Sequence, residues 1–346
     1  DSQRAFAIPP APPEIPMSEY VILNFEDKIT DTQKGSADST ILGLKARYEV
    51  KKKPKGIGAV FLSKNTVKEQ RCVDAGPPIK FTDDAARLST IRSACSVAKK
   101  VYLVMHGDPR TTDICYTNAV PSTAGVVQLA TAQQLASFLA KVLVGAKDVR
   151  LALVMCYGAR CKSYLSADVN HQGMIPQADL VTSFAYRLYY ALVHDHAIKA
   201  KLSAVTGKIS HDSNTGGALV EVEEMIDLNM DFSEANSAKL ASMRTAVGAP
   251  KALNEQDAEY KRKYAAWGAS DEGTALTMRV KDAQAAKKAT LDSLPVAKRS
   301  GAMNKYGKIE YRLAGNTLTI VSKYGDSATT LAPGTVLYSG PLLTPA

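Results

Sequence analysis

Apolar residues in this chain fall into two kinds of segment. Some are short unbroken runs, and others repeat at helical spacing between those runs. "YVILNF" (20–25), "VYLVM" (101–105) and "LALVM" (151–155) are apolar runs of five or six residues, the first broken only by Asn24. Such runs predict strands buried on both faces, as in a parallel sheet. Two further runs, "STILGLKARYEV" (39–50) and "GIGAVFLS" (56–63), are also strand candidates, and "KLSAVTGKIS" (201–210) is another. Between them, Ala86, Ile91, Ala94, Cys95 and Ala98 recur at helical intervals, as do Leu135, Phe138, Leu139, Val142 and Leu143. Thr131 with Gln134 three residues on has the spacing of a capping box, which places a helix start there. The stretch 178–196 reads as a further helix. Strand, helix and strand in alternation is the grammar of a βαβ unit.

The pattern divides the chain. Residues 1–17 are proline-rich and read as an extended, poorly ordered leader. Residues 18–210 alternate as an α/β domain. Residues 211–300 read as a helical insertion or accessory lobe, with helices over Glu234–Val247, Glu255–Trp267 and Asp271–Leu294. Residues 301–346 hold a hairpin turning at Gly315–Asn316, followed by a tail that returns to the main domain.

Composition adds less. The chain has 346 residues and a formal net charge of +9, and the basic bias is concentrated locally. Lys51, Lys52, Lys53 and Lys55 form a lysine run that is either a solvated strand end or an anion-binding patch. No aromatic-interleaved or zinc-finger motif accompanies it, so nucleic acid is not an expected partner. The five cysteines are irregularly spaced and do not form a disulfide framework. Cys156 and Cys161 with His171 lack a fourth ligand at zinc spacing, so no metal is expected. No apolar run is long enough for a transmembrane segment. The first residues do not read as a signal peptide.

The chemistry sits on the ends of two apolar runs. "VYLVMHG" ends in His106-Gly107, and about fifty residues later "LALVMC" ends in Cys156. In a parallel sheet, the carboxyl ends of neighbouring strands converge on one edge. A thiol beside an imidazole is a nucleophile–base pair. The N–H groups of Gly107 and Cys156 are candidates to hold an oxyanion.

These blocks resemble those of caspase-like cysteine peptidases, a clan that includes clostripain, gingipains and the self-processing protease domains of bacterial toxins. The resemblance implies a caspase-like α/β fold with a mainly parallel sheet flanked by helices. It also implies a cysteine endopeptidase with His106 as catalytic histidine, Cys156 as nucleophile and Gly107 as oxyanion donor, with no third triad member required. Met155 replaces the small residue common before the cysteine, and Gln-Ala-Cys-x-Gly is absent, so the chain is not expected to be a true caspase. Asp108, Tyr157, Ser203 and Thr206 are the candidate substrate-binding residues. The toxin relatives imply autocleavage, no required cofactor, and activation by inositol polyphosphate or another polyanion. They imply protein or peptide substrates and a soluble protein, either a secreted bacterial effector or cytoplasmic. Two alternatives stay open. One is a non-catalytic binding module on the same scaffold. The other is an α/β-hydrolase with a cysteine nucleophile, because Gly158 follows Cys156 as in a nucleophile elbow.

Overall fold

The computed structural model describes residues 18–26, 36–52, 67–75, 78–108, 111–117, 128–146, 148–161, 177–211, 218–220, 223–294, 307–323 and 334–345. Along the chain these form β1 (Tyr20–Asn24), α1 (Ser36–Arg47), β2 (Glu49–Lys52), β3 (Val67–Gln70), β4 (Cys72–Asp74), α2 (Ala85–Ser96) and β5 (Lys100–Val104). Next come β6 (His106–Asp108), β7 (Thr111–Tyr116), β8 (Leu129–Thr131), α3 (Ala132–Val142), β9 (Val149–Val154), α4 (Gln177–Leu180) and α5 (Phe184–Tyr190). A π-helical turn (Ala191–Asp195) leads to β10 (Ala200–Val205), β11 (Ile209–His211) and β12 (Ala218–Val220). The remainder is α6 (Glu223–Val247), a 3₁₀ turn (Leu253–Glu255), α7 (Ala258–Ala269), α8 (Asp271–Ser293), β13 (Lys308–Ala314), β14 (Thr317–Ser322) and β15 (Val336–Gly340).

Eight strands form the central sheet, in the order β4-β1-β5-β9-β10-β13-β14-β15. The first five are parallel and the last three antiparallel. The continuous apolar runs are the central strands, as expected for positions covered on both faces. In β5, Val101 and Leu103 point into the larger core with Ile91, Leu135, Phe138 and Tyr189, so α2, α3 and α5 cover that side. Tyr102 and Val104 point the other way, into a smaller core with Ile22, Ile41, Leu44, Cys72 and Val154.

The capping box is present: Thr131 Oγ1 accepts from Gln134 N–H, and Gln134 Oε1 accepts from Thr131 N–H at 2.9 Å. The hairpin turns at Gly315, whose φ of +57° lies in the left-handed region that favours glycine.

One expectation is corrected. Residues 39–50 do not form a strand, because α1 occupies Ser36–Arg47 and only Glu49–Lys52 is extended. Ile41 and Leu44 are buried and Leu42 is exposed, so burial follows the helical repeat rather than the two-residue repeat of a strand. The strand candidate at 56–63 and the whole 1–17 leader lie outside the described residues, as do Lys53 and Lys55.

The chain divides into two compact units, Asp1–Val220 with Asn304–Ala346, and Glu221–Met303. The second contains α6, α7 and α8. Met243, Val247, Tyr260 and Trp267 form its core, where Trp267 Nε1 donates to Ser242 Oγ at 3.0 Å.

Candidate active site

The site is built on three adjacent strands. Asn24 of β1 is in register with Val104 of β5, and Val104 with Val154 of β9. Two residues beyond each of these stand Glu26, His106 and Cys156. Neighbouring strands lie about 4.8 Å apart, so matching positions bring side chains together along one edge. In the strand order β1-β5-β9, the end of β5, which His106 follows, lies between the ends of β1 and β9.

Glu26 was not identified from the sequence. Its backbone is fixed by three bonds: Phe25 N–H donates to Val104 O at 3.0 Å, Thr117 Oγ1 to Phe25 O at 2.7 Å, and Glu26 N–H to Asn24 Oδ1 at 3.0 Å. Glu26 Oε1 lies 3.1 Å from His106 Nδ1, with the carboxyl side chain 4% and the imidazole 24% exposed. Burial raises Glu26 from 4.5 to about 7 and lowers His106 below 6.5. Each group is therefore disfavoured as an isolated charge, and the contact between them orients the ring. The signal was in "YVILNFED", an acid on the end of a buried strand like the histidine and cysteine on theirs.

Gly107 is the tightest point. A Cβ there would overlap the carbonyl oxygen of Cys156 and lie 2.8 Å from Met155 Cε. Only a residue without a side chain lets the two strand ends approach this closely. Cys156 is partly exposed, whereas Cys72, Cys95, Cys115 and Cys161 are buried, and all five are free thiols. Burial pushes Cys72, Cys95 and Cys115 up to about 12. Cys156 Sγ donates to Ile209 O at 3.7 Å, so β11 lies against the thiol. The chain then turns sharply. Tyr157 has a φ of +60°, and its N–H donates to Gly207 O at 3.0 Å. Its side chain is buried, with the Arg160 guanidinium 5.9 Å from the ring centre.

The other expected site residues have different surroundings. Asp108 ends β6, paired with Thr111 in the hairpin that begins at His106. Ser203 is buried within β10, where its hydroxyl donates to Leu151 O at 3.4 Å. Thr206 is buried, and its N–H donates to Gly307 O at 2.8 Å. Both therefore have structural bonds inside the sheet. Lys51 and Lys52 lie on the β2–β3 hairpin. Among the described residues no group of three or more His, Cys, Asp or Glu side chains is arranged to hold a metal ion. No helix of the described residues is long and apolar enough to cross a membrane.

No protein-family model matches the sequence, and no curated protein matches it. Among solved structures, the chain is similar to one described as caspase-1 from Spodoptera frugiperda. The two are 10% identical, over 69% of this chain and 82% of that chain, with a TM-score of 0.24. A mainly parallel sheet flanked by helices fits a caspase-like fold. That class rests on strand order and direction within this chain.

The elbow of an α/β-hydrolase needs a helix directly after the nucleophile and a histidine later in the chain. Here residues 156–159 form turns. Of the later histidines, His194 and His196 sit beside the exposed Asp195 and at the end of the π-helical turn, and His211 ends β11, two residues after the Ile209 carbonyl that accepts from the thiol. The ring in matching register with Cys156 precedes it in the chain, as His106.

Proposed function

We propose that this protein is a cysteine endopeptidase in which Cys156 is the nucleophile, His106 the general base and acid, and Glu26 the residue that positions His106. The observation that carries the reading is the matching register of the three residues on β1, β5 and β9. With Nδ1 facing Glu26, the ring's other nitrogen, Nε2, is the one available to the thiol. In the forward step His106 Nε2 takes the Cys156 proton, and Sγ bonds to the carbonyl carbon of a peptide. The carbonyl π electrons move to oxygen, where the N–H groups of Gly107 and Cys156 stabilise the oxyanion, each worth roughly 3–4 kcal/mol in comparable sites. Collapse breaks the C–N bond, and the imidazolium delivers its proton to the leaving amine. Water then attacks the thioester with His106 again as base, which releases the acid and restores the thiol.

The scaffold supports this assignment through selective exposure. Cys156 is the partly exposed thiol among five, so it is the one a substrate can reach. A non-catalytic binding module would use the same sheet without needing an imidazole held against a buried carboxyl.

The test compares the protein with Cys156→Ala, each incubated with a complex peptide mixture and read by mass spectrometry of new peptide termini. The expected result is a set of termini made by the parent and not by the variant, which also reports the preferred residue before the cut. Intact mass after prolonged incubation reads self-cleavage in the same samples. Identical peptide sets for both proteins would overturn the endopeptidase reading.

A further inference from the structure

Within the second unit, an open groove of about 490 Å³ runs between α6 and α8. α8 lines it with Ala275, Met278, Arg279, Asp282, Ala283 and Ala286. These positions recur at i, i+3, i+4, i+7, i+8 and i+11, the repeat that keeps side chains on one stripe of a helix. A different face of α8 holds it to α6. Lys287 Nζ lies 4.3 Å from the centre of the Phe232 ring of α6, and Leu294 shares a small core with Met225 and Leu228. At 3.6 residues per turn, Lys287 and Leu294 stand about a quarter turn from the middle of the stripe. The stripe is therefore left open. Ala283 is partly buried and the other five are exposed, Met278 by 49%.

Its charges are in place but unused. Lys263–Glu259 and Lys288–Asp292 form ion pairs along α7 and α8, whereas Arg279 and Asp282 take part in none among the described residues. The order of the stripe supplies their partners, because it reads the same in both directions. If two copies of α8 are laid antiparallel about a two-fold axis passing between Val280 and Lys281, Ala275 comes level with the partner's Ala286. Arg279 then comes level with the partner's Asp282, and the symmetry makes each of these contacts twice. Alanine at both ends lets the helix axes approach to about 8 Å. The stripe from Ala275 to Ala286 is about 16 Å long, and the Arg279 side chain spans the seam to the opposed carboxylate. Met278 adds apolar cover along its edge.

We propose that this face of α8 pairs antiparallel with the same face of a second copy of the chain. Charge order is what selects that occupant. Asp231 of α6 gives the groove a carboxylate besides Asp282, so an acidic segment or a nucleic acid meets repulsion there, and a uniformly basic segment meets Arg279. A second copy offers both signs in matching order. One helix pair makes a small interface, at the weak end of specific association, so a dissociation constant on the order of 10 µM is expected. The pairing is independent of the endopeptidase reading, and its test involves no cleavage.

The experiment is sedimentation equilibrium of the full chain from about 1 to 200 µM. The parent is expected to pass from monomer to dimer across that range. Arg279→Asp and Asp282→Arg each set like charges opposite one another at both symmetric contacts. Each is expected to weaken dimerisation by roughly tenfold or more. The double variant Arg279→Asp/Asp282→Arg restores opposite charges and is expected within about threefold of the parent. An equimolar mixture of the two single variants is expected to associate about as tightly as the parent, because every contact between unlike chains then pairs opposite charges. Both positions are exposed, so the variants are expected to keep the parent's melting temperature. If one single variant does not fold, the other and the double variant give the same reading. A parent that stays monomeric throughout overturns the pairing. So does a dimer unmoved by either single variant, which would assemble through another face, or a mixture no tighter than its components.

Discussion

His106→Ala is expected to slow Cys156-dependent peptide cleavage by about 10²–10⁴-fold, the range that a positioned acid–base group contributes. Glu26→Gln is the informative companion. It keeps a side-chain oxygen to accept from His106 Nδ1 but cannot ionise. Rate should fall by roughly tenfold, carried by kcat rather than KM, because the imidazole is still present but less well supported when it becomes charged. A separate readout isolates the carboxyl. Its folded value is raised by burial from 4.5 to about 7, so the folded state binds this proton more tightly than the unfolded chain does. The stability it contributes, about 3 kcal/mol for a shift of that size, is complete below about pH 4.5 and is lost as pH rises through 7. His106 is lowered and has the opposite sign: its contribution is present above 6.5 and is lost on acidification. The melting temperature of the parent relative to Glu26→Gln should therefore decline between pH 5 and pH 8 (about three units). A difference that stays flat over that range would show that Glu26 has no raised proton affinity.

Gly107→Ala is the second large effect. The added methyl group would occupy the space of the Cys156 carbonyl oxygen and press on Met155. Backbone cannot yield as a flexible side chain does, so the ends of β5 and β9 must part. Overpacking of this kind costs about 1–3 kcal/mol, and the shift at the strand ends displaces Cys156 from His106, so cleavage should fall at least about a hundredfold. Gly158→Ala is the comparison. Its Cβ would meet the Leu153 Cδ2 methyl at 2.9 Å, the end of a side chain rather than backbone, and a smaller loss of melting temperature is expected. Equal losses for the two variants, read by thermal unfolding, would contradict the close approach at Gly107.

The central strands were legible because burial on both faces leaves an unbroken apolar run, as in Val101–Met105 and Leu151–Met155. The capping box of α3 was legible because it depends only on residues three apart. Residues 39–50 misled because Ile41, Leu42 and Leu44 are dense enough to read as a strand, although only the first and last face the core. Glu26 was hidden for another reason. Its role depends on β1 lying beside β5, a pairing between residues about eighty apart that no local pattern encodes.

The strand order also sets a schedule. β10 is the last parallel strand, and its antiparallel neighbour β13 begins at Lys308, roughly a hundred residues after β10 ends. During synthesis, at about 5–20 residues per second, that interval lasts roughly 5–20 s. Glu26, His106 and Cys156 have all been made by then, yet β10 has an open edge until the C-terminal strands emerge. A ribosome-bound chain thus holds Glu26, His106 and Cys156 before it holds the frame that closes the sheet, and the last sheet pairings wait for β13, β14 and β15.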